Sequence, residues 1–164
     1  ETAKAFPDKF LIFTEGCKEQ FDFSKIYDVS LGELYGRNMI NDFNKGTSAW
    51  TDWNVLLDEK GGPNHVGNFC FAPIIADTRT GEIHYTYEYY YIGHLSKYVK
   101  PKAQRIATST NRDYLLSTTF MNEDGKMVNV IMNEGDNDTD VYLWIEGKAT
   151  KLFAPAHSIQ TVLL

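Results

Sequence analysis

The stretch Phe10-Leu11-Ile12-Phe13-Thr14-Glu15-Gly16 decides how the rest of the chain is interpreted. Its apolar residues form a short continuous run, which is typical of a buried parallel β-strand, and the run stops at Thr14. Glu15 therefore places a carboxylate at the end of the predicted strand. Because α/β barrels carry their active sites at the carboxyl ends of their strands, Glu15 is the sharpest catalytic candidate. The alternative is a solvated carboxylate at a strand end, and position alone does not decide between the two.

The residues after this strand predict a helix and then a second strand. Ser30-Leu31-Gly32-Glu33 has the spacing of a capping box, and apolar residues recur at helical intervals until Asn44-Lys45-Gly46 stops the helix. The run 47–58 is predicted to be the second strand, and chain-breaking residues at Gly61-Gly62-Pro63-Asn64 form the next loop. Together these segments predict a strand, a helix and a strand.

The pattern of the chain changes near Pro101. Before it, short runs predict a small hairpin over 74–85 and a helix over 89–99. After it, alternating runs separated by turn residues predict an antiparallel β-sandwich or a partial barrel. These runs are 104–110, 114–122, 127–133, 141–146 and 157–164. The sequence thus predicts an α+β chain, with strands and helices in residues 1–100 and a β-sandwich or partial barrel in residues 101–164.

Composition and charge exclude several classes of protein. The chain has 164 residues, of which 43% are hydrophobic and 23% are charged, as in folded globular proteins. A complete (β/α)8 barrel typically needs about 250 residues, more than the chain contains. The formal net charge of -6 offers no positive surface to a phosphate backbone, so nucleic acid is not expected as a partner. No apolar run approaches the roughly 18 residues that a membrane span requires.

Other candidate residues give weaker signals. Trp50 and Trp53 cannot face the same way on a regular strand, so at least one is expected in the core, while the other could stack on a ring-shaped ligand. Cys17 and Cys70 are expected to be free, buried thiols, with a bridge between them as the alternative. The histidines match no metal-binding spacing, and the acidic run 136–140 lacks the glycine and closing glutamate of a calcium loop. The sequence predicts neither a metal nor a cofactor.

Four motifs stand in a specific order along the chain. They are the segments Leu11-Ile12-Phe13-Thr14-Glu15-Gly16-Cys17, Trp50-Thr51-Asp52-Trp53-Asn54, Gly61-Gly62-Pro63-Asn64 with Asn68-Phe69, and Tyr90-Tyr91-Ile92-Gly93-His94. Together they resemble the final third of the glucosylceramidase family, glycoside hydrolase family 30. The resemblance covers nearly the whole chain, including a sandwich that closes with the strand around Ser158-Ile159-Gln160-Thr161.

The resemblance implies a retaining β-glycosidase built from a (β/α)8 barrel and a β-sandwich. Residues 1–100 would hold the last two strands and helices of the barrel, and residues 101–164 would form the β-sandwich domain. Glu15 would end the seventh barrel strand as the nucleophile, and Trp53 and Asn68 would line the pocket for the transferred sugar. Retaining chemistry needs a second carboxyl group about 5 to 5.5 Å away, which the family carries on strand four in an Asn-Glu pair. The Asn-Glu pairs here, Asn122-Glu123 and Asn133-Glu134, come after Glu15 and lie in the predicted sandwich. The resemblance therefore implies a C-terminal fragment that is inactive alone.

Partners and compartment are also expectations from the resemblance. The implied substrate is a glycan or a glycolipid, and a secreted or periplasmic location is favoured although the sequence does not fix it. A piece of a barrel would expose strand edges, which soluble proteins avoid, so we expect self-association to cover them. Two alternatives remain, a noncatalytic carbohydrate-binding module and a structural β-sandwich without activity.

Overall fold

The computed structural model describes residues 2–164. Two compact units, divided between Gly93 and His94, make up the chain, and we call them unit 1 and unit 2. The elements that begin in unit 1 are α1 (Thr2–Ala5), β1 (Leu11–Gly16), a 3-10 turn (Phe23–Lys25), α2 (Val29–Asn44), β2 (Thr47–Asp52), β3 (Leu56–Asp58), β4 (Ile74–Asp77), β5 (Glu82–Tyr85) and α3 (Tyr87–Ser96). Those that begin in unit 2 are β6 (Gln104–Ile106), β7 (Leu115–Met121), β8 (Met127–Asn133), β9 (Thr139–Ile145), β10 (Lys148–Ala154) and β11 (Ser158–Leu163).

A parallel strand pair forms the barrel-type part of unit 1. β1 and β2 pair in parallel, with Leu11 opposite Thr47 and Gly16 opposite Asp52. Parallel neighbours need a crossover connection, and α2 lies between them in the chain. The predicted strand, helix and strand are therefore confirmed.

The burial of β1 differs from the prediction. A continuous apolar run predicts a strand that is covered on both faces, but Ile12 on β1 is exposed and Phe10, just before the strand, is 86% exposed. The physical reason is that β1 has few neighbouring elements. Within residues 2–164, β1 pairs with β2 alone, so no further strand covers its other edge.

Helix α2 begins at a different cap from the predicted one. The Asp28 side chain accepts a hydrogen bond from the Ser30 N–H at 2.9 Å and is the N-cap. The predicted capping box over 30–33 is wrong because Asp28 already satisfies a free N–H of the first turn. The apolar periodicity was a better guide, since Leu31, Tyr35 and Met39 all lie on the buried face.

The predicted strand 47–58 is divided into two strands. β2 pairs with β1, whereas β3 belongs to a second sheet in which it is parallel to β4 and β4 is antiparallel to β5. The break falls at Trp53, whose N–H donates to the Gly16 carbonyl oxygen at 2.8 Å. The core beneath this second sheet comprises Ile26, Leu31, Leu57, Cys70, Phe71, Ala72 and Ile75.

Unit 2 is built from antiparallel strands, as predicted. β11, β8, β7 and β6 form a four-stranded sheet in that order, and β9 pairs with β10 in a two-stranded ribbon. Val128, Val130 and Met132 on β8 are fully buried. A cavity of about 810 Å³ lies between β9 and the segment 106–119. Strand β10 was missed because its first half, Lys148-Ala149-Thr150-Lys151, carries almost no apolar signal.

None of the helices within residues 2–164 is both long enough and apolar enough to cross a membrane.

Candidate active site

Glu15 and Trp53 lie at the carboxyl ends of two neighbouring parallel strands. β1 and β2 are aligned so that Gly16 is opposite Asp52, and Glu15 directly precedes this pair while Trp53 directly follows it. The Trp53 N–H donates to the Gly16 carbonyl oxygen at 2.8 Å, which joins the two strand ends. Glu15 is exposed and Trp53 is 47% exposed. Both side chains are therefore open to a ligand at the end of the strands where barrel enzymes bind substrates.

Trp50 is the indole that packs inside the unit. Its ring stacks on Phe13, with centroids 4.9 Å apart and planes 12° from parallel. Its Nε1–H donates to the Asp42 carboxylate at 3.2 Å. A Cβ atom added at Gly16 would overlap the Trp50 ring and lie 2.9 Å from Cζ2. Because Trp50 is held from both sides, it fixes the backbone immediately after Glu15.

Asp52 supports the position of Trp53, and the sequence did not single it out. Its Oδ1 accepts hydrogen bonds from the Tyr35 hydroxyl and from the Trp53 N–H, both at 3.0 Å. Burial raises the pKa of Asp52 to about 6, against the opposing effect of these two hydrogen bonds. Its place between the two indoles of the Trp50-Thr51-Asp52-Trp53 motif was the only available signal.

Glu88 is a second carboxyl group that the sequence analysis missed. It lies in the first turn of α3 and is 0% exposed. Neither of its carboxyl oxygens has a hydrogen-bond partner among the described residues. Burial, and to a smaller extent the charge of Asp52, raises the pKa of Glu88 to about 8. Glu88 therefore carries a proton at neutral pH, but its burial keeps it from touching a substrate.

Asn68 lies on the loop that follows β3. The Asn64 side chain accepts hydrogen bonds from the Val66 N–H at 2.9 Å and the Asn68 N–H at 3.1 Å, which gives the loop a fixed turn. The Asn68 amide then donates to Glu19 Oε1 at 2.9 Å. Asn68 is thereby attached to the segment that leaves β1 just after Glu15.

The structure thus joins Glu15 and Trp53 through adjacent strand ends, and it links Asn68 to the same region through Glu19. Among residues 2–164, no three histidine, cysteine, aspartate or glutamate side chains are grouped closely enough to hold a metal ion. The arrangement offers two exposed carboxylates, Glu15 and Glu19, a half-exposed indole, and an amide that donates to Glu19. Such groups can bind a sugar by stacking and hydrogen bonding, with a carboxylate available to react.

Comparison with known proteins covers both units. Residues 1–99 match the glycosyl hydrolase family 30 TIM-barrel domain, and residues 102–162 match the glycosyl hydrolase family 30 beta sandwich domain. The lysosomal acid glucosylceramidase of Mus musculus is 30% identical over 172 residues, which cover 99% of this chain and 33% of the mouse protein. The chain therefore spans about a third of the length of this curated relative.

Solved structures agree with this family. The crystal structure of SrfJ from Salmonella typhimurium superimposes with a TM-score of 0.92 at 34% identity, over 99% of this chain and 36% of SrfJ. The endo-beta1,6-glucanase BT3312 superimposes with a TM-score of 0.84 at 26% identity, over 98% of this chain and 36% of that protein. Since the family domains match nearly the whole chain, it is a member of glycosyl hydrolase family 30.

Proposed function

We propose that the chain provides the nucleophile-bearing part of a retaining β-glycosidase that cleaves β-glucosidic or related O-glycosyl bonds. The observation that carries this proposal is the register of β1 and β2, which aligns Gly16 with Asp52, so that Glu15 and Trp53 both lie at the carboxyl ends of neighbouring strands. An exposed carboxylate next to a half-exposed indole is suited to attack a sugar that the indole holds by stacking.

Glu15 is the nucleophile in this mechanism. Its carboxylate attacks the anomeric carbon, the bond to the leaving group breaks, and a covalent glycosyl-enzyme forms that water then hydrolyses with retention of configuration. Trp53 stacks on the sugar and Asn68 donates hydrogen bonds to its hydroxyl groups. Asp52 contributes indirectly, because its hydrogen bond holds the Trp53 backbone at the end of β2.

The 164-residue chain alone is inactive in this proposal. A second carboxyl group must protonate the leaving oxygen, and general acid assistance typically contributes about 10²- to 10⁴-fold. Glu88 carries a proton at neutral pH but is fully buried, Asp52 is engaged by Tyr35 and Trp53, and Glu19 accepts the hydrogen bond of the Asn68 amide. In this proposal none of these three groups is the acid. Robust hydrolysis of an aryl β-glucoside by the pure chain, abolished by Glu15→Gln, would contradict this part of the proposal.

The substrate is a glycan or a glycolipid. The mouse relative is named as a glucosylceramidase and the structural neighbour BT3312 as an endo-beta1,6-glucanase, so both a lipid-linked and a polymeric β-glucoside are represented in the family. The boundary between the domains at residues 100 and 101 also stays a prediction.

The experiment that tests the nucleophile uses the full-length protein and a mechanism-based fluorinated glucoside. We expect the label on the peptide that contains Glu15, no label in Glu15→Gln, and undiminished labelling in Glu82→Gln, whose side chain is an exposed glutamate on β5. Label on another residue would overturn the role of Glu15. A product of inverted anomeric configuration would overturn the retaining mechanism.

The alternative function is glycan binding without catalysis, and one observation favours it. Tyr142 and Trp144 lie two residues apart on the same face of β9, and both side chains are exposed, Trp144 to 70%. Aromatic side chains two residues apart on a strand share a face, where they can stack on successive sugar rings. If this function is correct, Trp144→Ala abolishes the glycan affinity of the chain and Trp53→Ala leaves it unchanged. The catalytic proposal predicts that Trp53→Ala has the larger effect.

A further inference from the structure

The segment after β1 and the loop that carries Asn68 are joined through their backbones. The Phe71 N–H donates to the Lys18 carbonyl oxygen at 2.8 Å, and the Phe21 N–H donates to the Phe69 carbonyl oxygen at 3.2 Å. These hydrogen bonds flank an antiparallel bridge between Glu19 and Cys70. The two segments therefore lie side by side, and their side chains meet across the bridge.

Cys17 and Cys70 meet at this junction. Their Sγ atoms are 2.7 Å apart, although non-bonded carbon atoms, which are smaller than sulfur, are ordinarily about 3.5 to 4.0 Å apart. Cys70 is only 1% exposed and Cys17 is half-buried beside it. A small relative movement of the two side chains would bring the sulfur atoms to covalent distance. Within residues 2–164 no third ligand joins them, so a metal site does not explain their approach.

We propose that Cys17 and Cys70 form an intramolecular disulfide bond that fastens the Asn68 loop to the segment following Glu15. The bond would lie near the hydrogen bond between Asn68 and Glu19 and would add a covalent attachment to this reversible one. Its formation requires the close approach of the two thiols and an oxidant, and it does not depend on the proposed function. Its consequence for sugar binding, the fixed position of Asn68, rests on the proposed function.

The oxidant is a low-molecular-weight disulfide such as oxidised glutathione. Half-buried Cys17 is the more accessible thiol, so its thiolate attacks the glutathione disulfide and releases one reduced glutathione. The Cys70 thiolate then attacks the Cys17 sulfur of the mixed disulfide and releases the second. The two cysteines lose two protons and two electrons, and the oxidant becomes two thiols. Burial and the neighbouring thiol raise the pKa of Cys17, so exchange becomes faster as the pH rises.

The experiment maps the bond directly. The full-length protein in its native state is incubated with oxidised glutathione, then denatured in the presence of N-ethylmaleimide so that every remaining free thiol is blocked, and finally digested and analysed by mass spectrometry. We expect a cross-linked peptide pair containing Cys17 and Cys70, lighter by two hydrogen atoms than the separate peptides and separated by a reducing agent. Maleimide on both cysteines, or a glutathione adduct on Cys17 that never resolves, would overturn the proposal.

Two variants and one mobility measurement complete the test. Cys70→Ser should accumulate glutathione on Cys17, whereas Cys17→Ser should leave the buried Cys70 unmodified. If either variant fails to fold, the wild-type peptide map still decides the question.

In the wild type, backbone amides of 64–69 should exchange hydrogen at least several-fold more slowly when the protein is oxidised, and equal exchange would overturn the fastening of the loop. Labelling of Glu15 by the fluorinated glucoside is a separate readout, so failure of the proposed function and failure of the disulfide remain distinguishable.

Discussion

At the scale of single residues, Glu88 makes stability depend on pH. Its folded pKa, about 8, exceeds the ordinary value of 4.5, so the folded state binds the proton more tightly than the unfolded state. Its contribution to stability is therefore fully present below about pH 4.5 and is lost as the pH rises to about 8. Each pKa unit corresponds to about 1.4 kcal/mol.

Glu88→Gln should remove this dependence, because glutamine has the shape of the protonated acid and cannot ionise. We expect little change in Tm at pH 5 and a gain of at least about 1.4 kcal/mol in the free energy of unfolding at pH 9, measured by thermal and urea unfolding. Glu82→Gln is the matched control, since that side chain is largely exposed. A loss of stability in Glu88→Gln at both pH values would contradict the raised pKa of Glu88.

Gly16 gives a second prediction at this scale. A methyl group at this position would overlap the Trp50 ring, which Phe13 and Asp42 hold in place. We expect Gly16→Ala to destabilise unit 1 by about 1 to 3 kcal/mol, as overpacking usually does. Gly93→Ala is the control, because no described atom lies near its added methyl group and alanine favours helix α3 by up to about 1 kcal/mol. Urea unfolding that showed the same sign for both variants would contradict the role of Trp50.

The residues of the candidate site divide into those that the sequence could predict and those that it could not. Glu15 follows from an apolar run that ends in a carboxylate, and Trp53 and Asn68 follow from the family motifs. Asp52 and Glu88 were missed because their roles arise from burial, which a local pattern does not report. Their pKa values depend on surrounding side chains from distant parts of the chain, such as Tyr35 around Asp52.

At the scale of elements, the β9–β10 turn carries a conformational strain. Glu146 has φ of 48° and Gly147 has φ of 82°, which are the values of a two-residue hairpin turn that favours Asn-Gly. We expect Glu146→Asn to stabilise unit 2 by roughly 0.5 to 1 kcal/mol, since asparagine tolerates this backbone better than glutamate. Gly147→Ala, in the same turn, should destabilise it. Thermal unfolding of both variants checks the prediction, and a lower Tm for Glu146→Asn would contradict it.

Elements with a clear local pattern were predicted from the sequence, and elements that depend on their partners were not. Runs with clear alternation or helical periodicity, such as 127–133 and the body of α2, were found at nearly their observed bounds. β10 was missed because it pairs through the Glu146-Gly147 turn and not through its own apolar content. The division of 47–58 was missed because a local pattern does not report that its first part pairs with β1 and its last part with β4.

At the scale of the whole molecule, β1 leaves one edge unpaired in unit 1. Within the described residues it pairs with β2 alone, Ile12 on the strand is exposed, and so is Phe10 just before it. An open apolar strand edge is a template for pairing with another chain. The family resemblance predicts the barrel-type strands but not what covers the open edge of β1. These residues span only about a third of the mouse relative, and the remaining two thirds are not described.

We therefore predict that the 164-residue chain self-associates through the open edge of β1. Sedimentation velocity over a micromolar concentration series should show dimers or larger species, with slow hydrogen exchange of the amides of 10–14 in the associated state. Ile12→Lys places a charge on this edge and should weaken association at least about tenfold, which is about 1.4 kcal/mol. Val66→Lys makes the same chemical change at an exposed loop residue and should leave association unchanged. A chain that is monomeric at every concentration would contradict edge pairing, and equal weakening by both variants would assign the association to general surface hydrophobicity.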